Sequence, residues 1–225
     1  MDIHIDEDAL LRHRKLQNEA ENGYHVATAS VVLEARARYE NYTLHVGGRL
    51  VRNEIHAVLN GNGADCNLYG AYAGRGNQHI DTTTFVDHAA PECTSREVYK
   101  GALDDNARGV FQGKILVRKG AQKTDGHQLN KALLLSEGAE IDSKPELEIY
   151  ADDVKCSHGA TSGELDEEQL FYLRARGIDE AEARDLLVAA FLEDSLDVIG
   201  DEDRREAFRS IISNWLAGRS QRQEG

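Results

Sequence analysis

Two residues in the stretch YADDVKCSHGATSG (150–163) have side chains that could bind a metal ion. Cys156 and His158 are separated by one residue in a run that reads as a strand. In a strand they share one face with Cα atoms about 7 Å apart, so both could reach one ion. A thiolate together with an imidazole suits iron or zinc. Two ligands are too few for a self-contained metal site.

The residues alone leave other interpretations of this pair open. A buried free cysteine beside a hydrogen-bonded histidine is the structural alternative. A nucleophile and its base would also need a third orienting group and an oxyanion site, and the sequence indicates neither. The cysteines, at 66, 93 and 156, cannot supply the four thiolates of a common iron–sulfur site.

A second group of possible metal ligands lies in the segment QHIDTTTFVDHAAPECTS (78–95). Two of its members, His79 and Asp81, would share a strand face. Polar strand residues that bond to neighbouring loops are the structural alternative. The potential ligands in this segment are His79, Asp81, Asp87, His88 and Cys93.

Composition and charge argue against several classes of partner. The net charge of −14 comes without a basic stripe, so we expect no binding to nucleic acid. No apolar run approaches the roughly 20 residues that span a bilayer. The acidic start has no apolar leader segment, and the few scattered cysteines fit a reducing compartment. We therefore expect a cytoplasmic protein that does not bind membranes.

Short runs separated by Gly, Asn and Asp dominate residues 41–160 and predict strands. The long helical segments that a doubly wound fold needs are absent from this pattern. A sandwich, a barrel or a β-solenoid remains possible, and loosely recurring turn-then-strand phrases favour coils of roughly 20 residues. The segment 26–40 could be either a strand pair or a helix.

Residues 161–225 have a different pattern, which predicts three helices. The first covers 162–177, the second 178–200 and the third 201–218, ending at Gly218. Asp179 has the spacing of a helix N-cap, and the second and third helices have apolar residues at helical spacing. This region carries 16 acidic and 8 basic side chains, which indicates a highly solvated face.

Several long segments resemble one known family. They are LVRNEIHAVLNGNGADCNLYGAY (50–72), FVDHAAPECTSREVYKGALDDNARGVFQGKILVRKGAQKTD (85–125), NKALLLSEGAEID (130–142) and KPELEIYADDVKCSHGATSGELDEEQLFYLRARGI (144–178). The family is SufB/SufD, the scaffold subunits of the Suf machinery that assembles iron–sulfur clusters. The phrase KCSHGAT is most similar to the SufD branch, and Asn130 stands where the SufB branch has a cysteine.

The resemblance implies a mainly β fold, a right-handed parallel β-helix followed by a C-terminal α-helical segment. We assign the β-helix core to residues 1–160 and the helical region to 161–225. Family members are usually longer, with an N-terminal helical domain and further coils. A β-helix that is open at one end needs a cap or a partner.

The resemblance also implies partners and a role. The chain would be a non-catalytic scaffold that joins a SufB-like subunit through the β-helix and the SufC ATPase through the C-terminal helices, and it could form a homodimer when isolated. His158 and Cys156 would lie at the SufB interface, where a nascent cluster or iron is held transiently. No tightly bound cofactor is expected in the isolated chain.

A β-solenoid enzyme acting on carbohydrate or acyl substrates is the alternative function. Such an enzyme needs paired carboxylates or a positioned histidine in a cleft. Asp152 and Asp153 are adjacent, so in a strand they would point to opposite faces and cannot form that pair.

Overall fold

The computed structural model describes residues 1–223, with side chains through residue 218. Strands dominate up to residue 163, and helices follow. The strands are β1 Asp2–Ile5, β2 Leu10–Gln17, β3 Tyr24–Leu33, β4 Arg38–His45, β5 Leu50–Leu59, β6 Asp65–Gly74, β7 His79–His88, β8 Thr94–Leu103, β9 Arg108–Val117, β10 Asp125–Leu134, β11 Glu140–Ile149 and β12 Lys155–Gly163. The helices are α1 Glu167–Arg174, α2 Glu180–Glu193 and α3 Glu202–Gln223.

The strands form two parallel sheets, and consecutive strands alternate between them. Sheet A has the order β1-β3-β5-β7-β9-β11, and sheet B has the order β12-β10-β8-β6-β4-β2. Each strand therefore pairs with the strand two positions along the chain, which is the topology of a parallel β-solenoid of about six turns. The predicted mainly β fold with C-terminal helices is confirmed. The segment 26–40 forms β3, a turn and the start of β4.

The repeat length differs from the roughly 20 residues predicted. Paired residues on neighbouring rungs are 29 positions apart at Leu50 and His79, and 30 positions apart at Asp125 and Lys155. The reason is that one rung contains two strands of up to 10 residues together with two turns. The longer rung explains why the repeat is weak in the sequence.

The corners between the sheets repeat one backbone conformation. At the corner that leads from sheet A to sheet B, each of the first five rungs has one residue with positive φ: Asp8, Arg36, Gly63, Glu92 and Lys123. Four of these residues are not glycine, although a positive φ is unfavourable for a side chain. Stacked partners offset this cost, because Arg36 Nε donates to Asp8 Oδ1 at 2.7 Å and Lys123 Nζ donates to Glu92 Oε1 at 3.3 Å.

Alternate strand residues point between the sheets and form the solenoid core. The core is mostly aliphatic, and its largest fully buried side chains include Tyr39, Tyr99 and Phe111. The rings of Tyr99 and Phe111 lie with centroids 5.3 Å apart. Alternation with a period of two is therefore the sequence feature that specifies the interior.

A second core lies between the helices and the outer face of sheet B. The outward side chains Tyr42 and Leu44 of β4 are fully buried there, against residues of α2 and α3. The Tyr42 ring meets Phe208 edge to face at 5.2 Å, and its hydroxyl is 2.9 Å from Ser195 Oγ. Both faces of β4 are thus covered, and the helices form part of the folded body.

The helix boundaries differ in detail from the sequence predictions. β12 continues to Gly163, so α1 begins only at Glu167. Asp166 is the N-cap of α1, and its side chain accepts hydrogen bonds from two backbone amides of the first turn. Asp179 is confirmed as an N-cap, since it accepts from the amide of Ala181. α2 ends at Glu193, and a 3₁₀ turn follows at Asp194–Val198.

The third helix runs past its predicted end at Gly218. α3 continues to Gln223, because a glycine inside a helix costs only about 1 kcal/mol and does not by itself end one. Within the described residues, no helix is long and apolar enough to cross a membrane.

The second core predicts a large effect for one leucine. Leu192 of α2 is fully buried between the helices and sheet B, so Leu192→Ala should lower the free energy of unfolding by about 2–5 kcal/mol. Leu186 on the same helix is 46% exposed, and Leu186→Ala is the matched control with an expected change within about 0.5 kcal/mol. Urea unfolding measures both. Equal effects of the two substitutions would contradict this packing.

Candidate metal-binding site on the last rung

The last rung of the solenoid is formed by β11 and β12, which are the edge strands of their sheets. β12 pairs in parallel with β10 on one side, and in the described residues its other side has no strand partner. Cys156 is in register with Gly126 and His158 with Gln128. The structure therefore places both predicted ligands on the exposed end of the solenoid and on the same face of one strand.

Cys156 is the less accessible of the two predicted ligands. Its side chain is half-buried and packs against the solenoid core. Burial raises the pKa of the Cys156 thiol, the backbone amide of Gly126 opposes this shift, and the Asp125 carboxylate adds to it. A thiolate at this position needs a metal ion or a positive neighbour from outside the chain to stabilise it.

His158 is exposed at the end of the solenoid. Its position in the alternation is an inward one, but no further rung covers it in the described chain. An imidazole in this situation can present a ring nitrogen to a ligand or a partner. Among the described residues, no group of three or more His, Cys, Asp or Glu side chains could hold a metal ion. The two donors thus form at most part of a site.

The sequence pattern did not predict one feature beside the last rung. It is a network of charged and polar side chains on the outer face. Asp125 Oδ1 lies 2.8 Å from His127 Nε2 and also accepts from Arg96 Nη1 at 2.8 Å. His127 Nδ1 is hydrogen bonded to Ser157 Oγ. Arg96 lies 29 residues before Asp125 and Ser157 lies 30 residues after His127, so only the strand register brings them to this pair.

Polar side chains also lie inside the solenoid behind His158. Glu97 on β8 is fully buried, and Gln128 Nε2 on β10 donates to its Oε1 at 3.2 Å. Burial raises the pKa of Glu97 to about 7, although the hydrogen bonds from Thr84 and Gln128 act in the opposite direction. The sequence contained no signal for these two residues as neighbours of His158.

The pKa of Glu97 predicts a specific dependence of stability on pH. Between its ordinary pKa of 4.5 and about 7, the folded chain keeps a proton at Glu97 that the unfolded chain loses. The contribution of this group to stability therefore falls as the pH rises through that window. Glu97→Gln should gain up to about 3 kcal/mol relative to wild type between pH 4.5 and 7.5.

Urea unfolding of both proteins at several pH values measures this difference. His45 and His88 are buried, and burial lowers their pKa values, so their contributions have the opposite sign. Both histidines are present in wild type and variant, and their contributions cancel in the comparison. Parallel stability curves for the two proteins would contradict the buried carboxylic acid.

The structure does not bring the second group of possible ligands together. Asp87 points outward and binds Arg118, with Oδ2 2.6 Å from Nη2. His88 points inward, and its Nε2 lies 2.9 Å from Ser95 Oγ. Cys93 donates from its thiol to the carbonyl oxygen of Gly61 at 3.3 Å. Among the described residues these side chains form no group of three or more potential metal ligands, and their contacts favour the structural alternative.

The fold is a parallel β-solenoid with a helical layer on one sheet, and Cys156 and His158, the predicted donors, share one face of the edge strand at its open end. The chain belongs to the SufBD core family of iron–sulfur cluster assembly proteins. The family model described as "SUF system FeS cluster assembly, SufBD core domain" matches residues 1–191.

Curated relatives support the same family. The chain is 37% identical to the iron–sulfur cluster assembly protein SufD of Escherichia coli over 216 residues, which cover 96% of this chain and 51% of that protein. A SufBD family protein of Synechocystis is 35% identical, with 94% of this chain and 47% of the relative covered. A SufBD family protein of Mycobacterium tuberculosis is 35% identical, with 94% of this chain and 55% of the relative covered. The chain thus spans about half the length of these relatives.

Proposed function

We propose that this chain is a SufD-like scaffold subunit whose last rung supplies half of a cluster-assembly site. The observation that carries the proposal is the position of His158 and Cys156, two donors on an edge strand at the open end of the solenoid. A SufB-like partner would bring the remaining ligands. The iron–sulfur cluster is cargo in this scheme, and it is held transiently rather than as a resident cofactor.

The edges of the last rung support such a partner. β11 and β12 each present an edge to which another chain can add a strand. The outward face of β11 is mostly acidic, with Lys144 followed by Glu146 and Glu148, which favours a partner with basic side chains. In the absence of that partner the same edges favour self-association, and we expect a homodimer of the isolated chain.

The helices offer a separate surface for a SufC-like ATPase. Three large apolar side chains are exposed there, Phe171 at 73%, Tyr172 at 56% and Leu186 at 46%. Helix residues that pack on the solenoid, such as Leu192, are fully buried and face the other way. These exposed apolar residues of α1 and α2 are therefore our candidates for the docking surface.

Reconstitution tests the proposed function. The chain is mixed anaerobically with SufB, SufC, iron and a sulfide source, and the visible absorbance of the cluster is followed. We expect cluster formation to require the chain, and we expect an ABC-type ATPase to co-purify with it. Equal cluster formation by SufB and SufC without the chain would contradict the proposal.

The scaffold role implies no chemistry by the chain itself, and the three free cysteines fit a reducing cytoplasm, where we place it. The alternative of an acyl-acting enzyme has one observation in its favour, the contacts between Asp125, His127 and Ser157. The Asp125 carboxylate also binds Arg96, and His127 is 39% exposed. These features are those of a surface ion-pair network, so we do not pursue that alternative.

A further inference from the structure

The solenoid interior contains two polar side chains directly behind the proposed half-site. Glu97 and Gln128 are 0% and 2% exposed. The strand register places Glu97 next to Gln128, and Gln128 next to His158. Neighbouring strands are about 4.8 Å apart, so these three side chains form one column that ends at the open rung.

The hydrogen bonds of the column join Glu97 and Gln128 but do not extend to His158. Gln128 Nε2 donates to Glu97 Oε1 at 3.2 Å. The other amide atom, Gln128 Oε1, is a buried acceptor that has no partner among the described residues. A buried acceptor without a donor is unfavourable. The next side chain of the column toward the open end is His158, whose ring carries an N–H donor.

The backbone opposite the column leaves room for this arrangement. A Cβ atom at Gly113 would lie 2.0 Å from Gln128 Nε2 and 2.8 Å from its Oε1. Only glycine at position 113 therefore allows the Gln128 amide to keep its position. The Gln128 amide thus packs directly on the Gly113 backbone, and a side chain at position 113 would displace it.

We propose that Gln128 and Glu97 are positioning residues for His158. The His158 ring N–H that faces the solenoid donates to Gln128 Oε1, Gln128 Nε2–H donates to Glu97 Oε1, and the other ring nitrogen faces outward. Histidines that bind metals commonly donate their second ring N–H to a carbonyl or carboxylate in this way, which fixes the tautomer and ring orientation. The consequence for cluster assembly rests on the proposed function, whereas the tautomer of His158 does not.

The direct test is the tautomer of His158 in the full chain. The protein is labelled with ¹⁵N-histidine, and the His158 signals are identified by their loss in His158→Gln. We expect one tautomer in wild type and a mixture of both in Gln128→Leu. Gly113→Ala should have the same effect, because it displaces the Gln128 amide and leaves the residue itself in place.

Two controls separate positioning from general damage to the core. Asn130→Leu removes a buried amide from the neighbouring column, where Asn130 is in register with Ala160, and it should leave the His158 tautomer unchanged. The signals of His127, on the outer face, should not change in any variant. The inference is overturned if Gln128→Leu and Asn130→Leu leave His158 in the same tautomer, or if wild type already contains both.

The reconstituted complex then tests the consequence. We expect Gln128→Leu to slow cluster formation about 10-fold, the scale typical of residues that support a metal ligand, while Asn130→Leu keeps the wild-type rate. If Gln128→Leu changes the His158 tautomer but leaves the rate of cluster formation unchanged, the hydrogen-bonded column is supported and the role of His158 in assembly is contradicted. If Gln128→Leu leaves the His158 tautomer unchanged but lowers the rate of cluster formation, the hydrogen-bonded column is contradicted and the proposed function is not.

Discussion

His158→Ala is expected to remove most cluster formation while the chain folds and joins its partners normally. The ring is exposed on an edge strand, so its loss should leave the chain folded, and the cost should stay within about 1–3 kcal/mol, the cost of a buried Gln128 Oε1 acceptor left without its donor. A neutral imidazole is a competent iron ligand, and a protonated one can stabilise an anionic sulfide. We expect the rate of cluster formation in the complex with SufB and SufC to fall at least about 10-fold.

Two variants control for this effect. His127→Ala removes an exposed histidine from the outer face of the adjacent strand and should keep the wild-type rate. Cys156→Ser tests the thiolate role, and we expect a smaller loss because burial raises the pKa of this thiol. Thermal melting and size-exclusion chromatography check folding and assembly. A fully assembled His158→Ala complex that forms clusters at the wild-type rate would refute the half-site.

Phe171→Ser is expected to weaken the binding of the SufC ATPase strongly without unfolding the chain. Phe171 is 73% exposed on α1, so the substitution removes a solvent-exposed apolar ring and changes the packing of the core little. An aromatic residue at the centre of an interface commonly contributes about 2 kcal/mol, which corresponds to about a 30-fold increase in Kd. Titration calorimetry with purified SufC measures the change.

The matched control for this prediction lies on the solenoid. Tyr24 is 66% exposed on β3, and Tyr24→Ser removes an exposed aromatic ring of similar size. β3 is far from the helices in the sequence. We expect its Kd for SufC to remain at the wild-type value. Equal Kd values for Phe171→Ser and wild type would place the docking surface elsewhere. Point variants test this better than deletion of the helices, which would expose the buried outer side chains of sheet B, such as Tyr42 and Leu44.

Local features of the fold were predictable because they depend on residues close together in the sequence. The alternation in segments such as EIHAVL (54–59) specified strands, and Asp179 specified the start of a helix, as the structure confirms. The ends of α1 and α3 were not predicted correctly. Gly163 belongs to a strand that is extended by pairing with β10, and Gly218 continues a helix.

The sequence by itself determined the donor pair at the last rung. A spacing of two residues in a strand places Cys156 and His158 on one face, whatever the rest of the fold does. Together with the resemblance to the SufB/SufD family, this spacing predicts that they form part of an incomplete site. The family itself is confirmed by the match over residues 1–191.

Only the tertiary structure decided which groups surround that pair. Glu97, Gln128 and His158 are about 30 residues apart along the chain, and they meet because consecutive rungs stack in a fixed register. That register depends on the length of every intervening turn and on the packing of the whole core, and a shift of one residue would turn each side chain to the opposite face. The exposure of His158 likewise follows from the position of β12 at the edge of sheet B, which no local pattern in the sequence specifies.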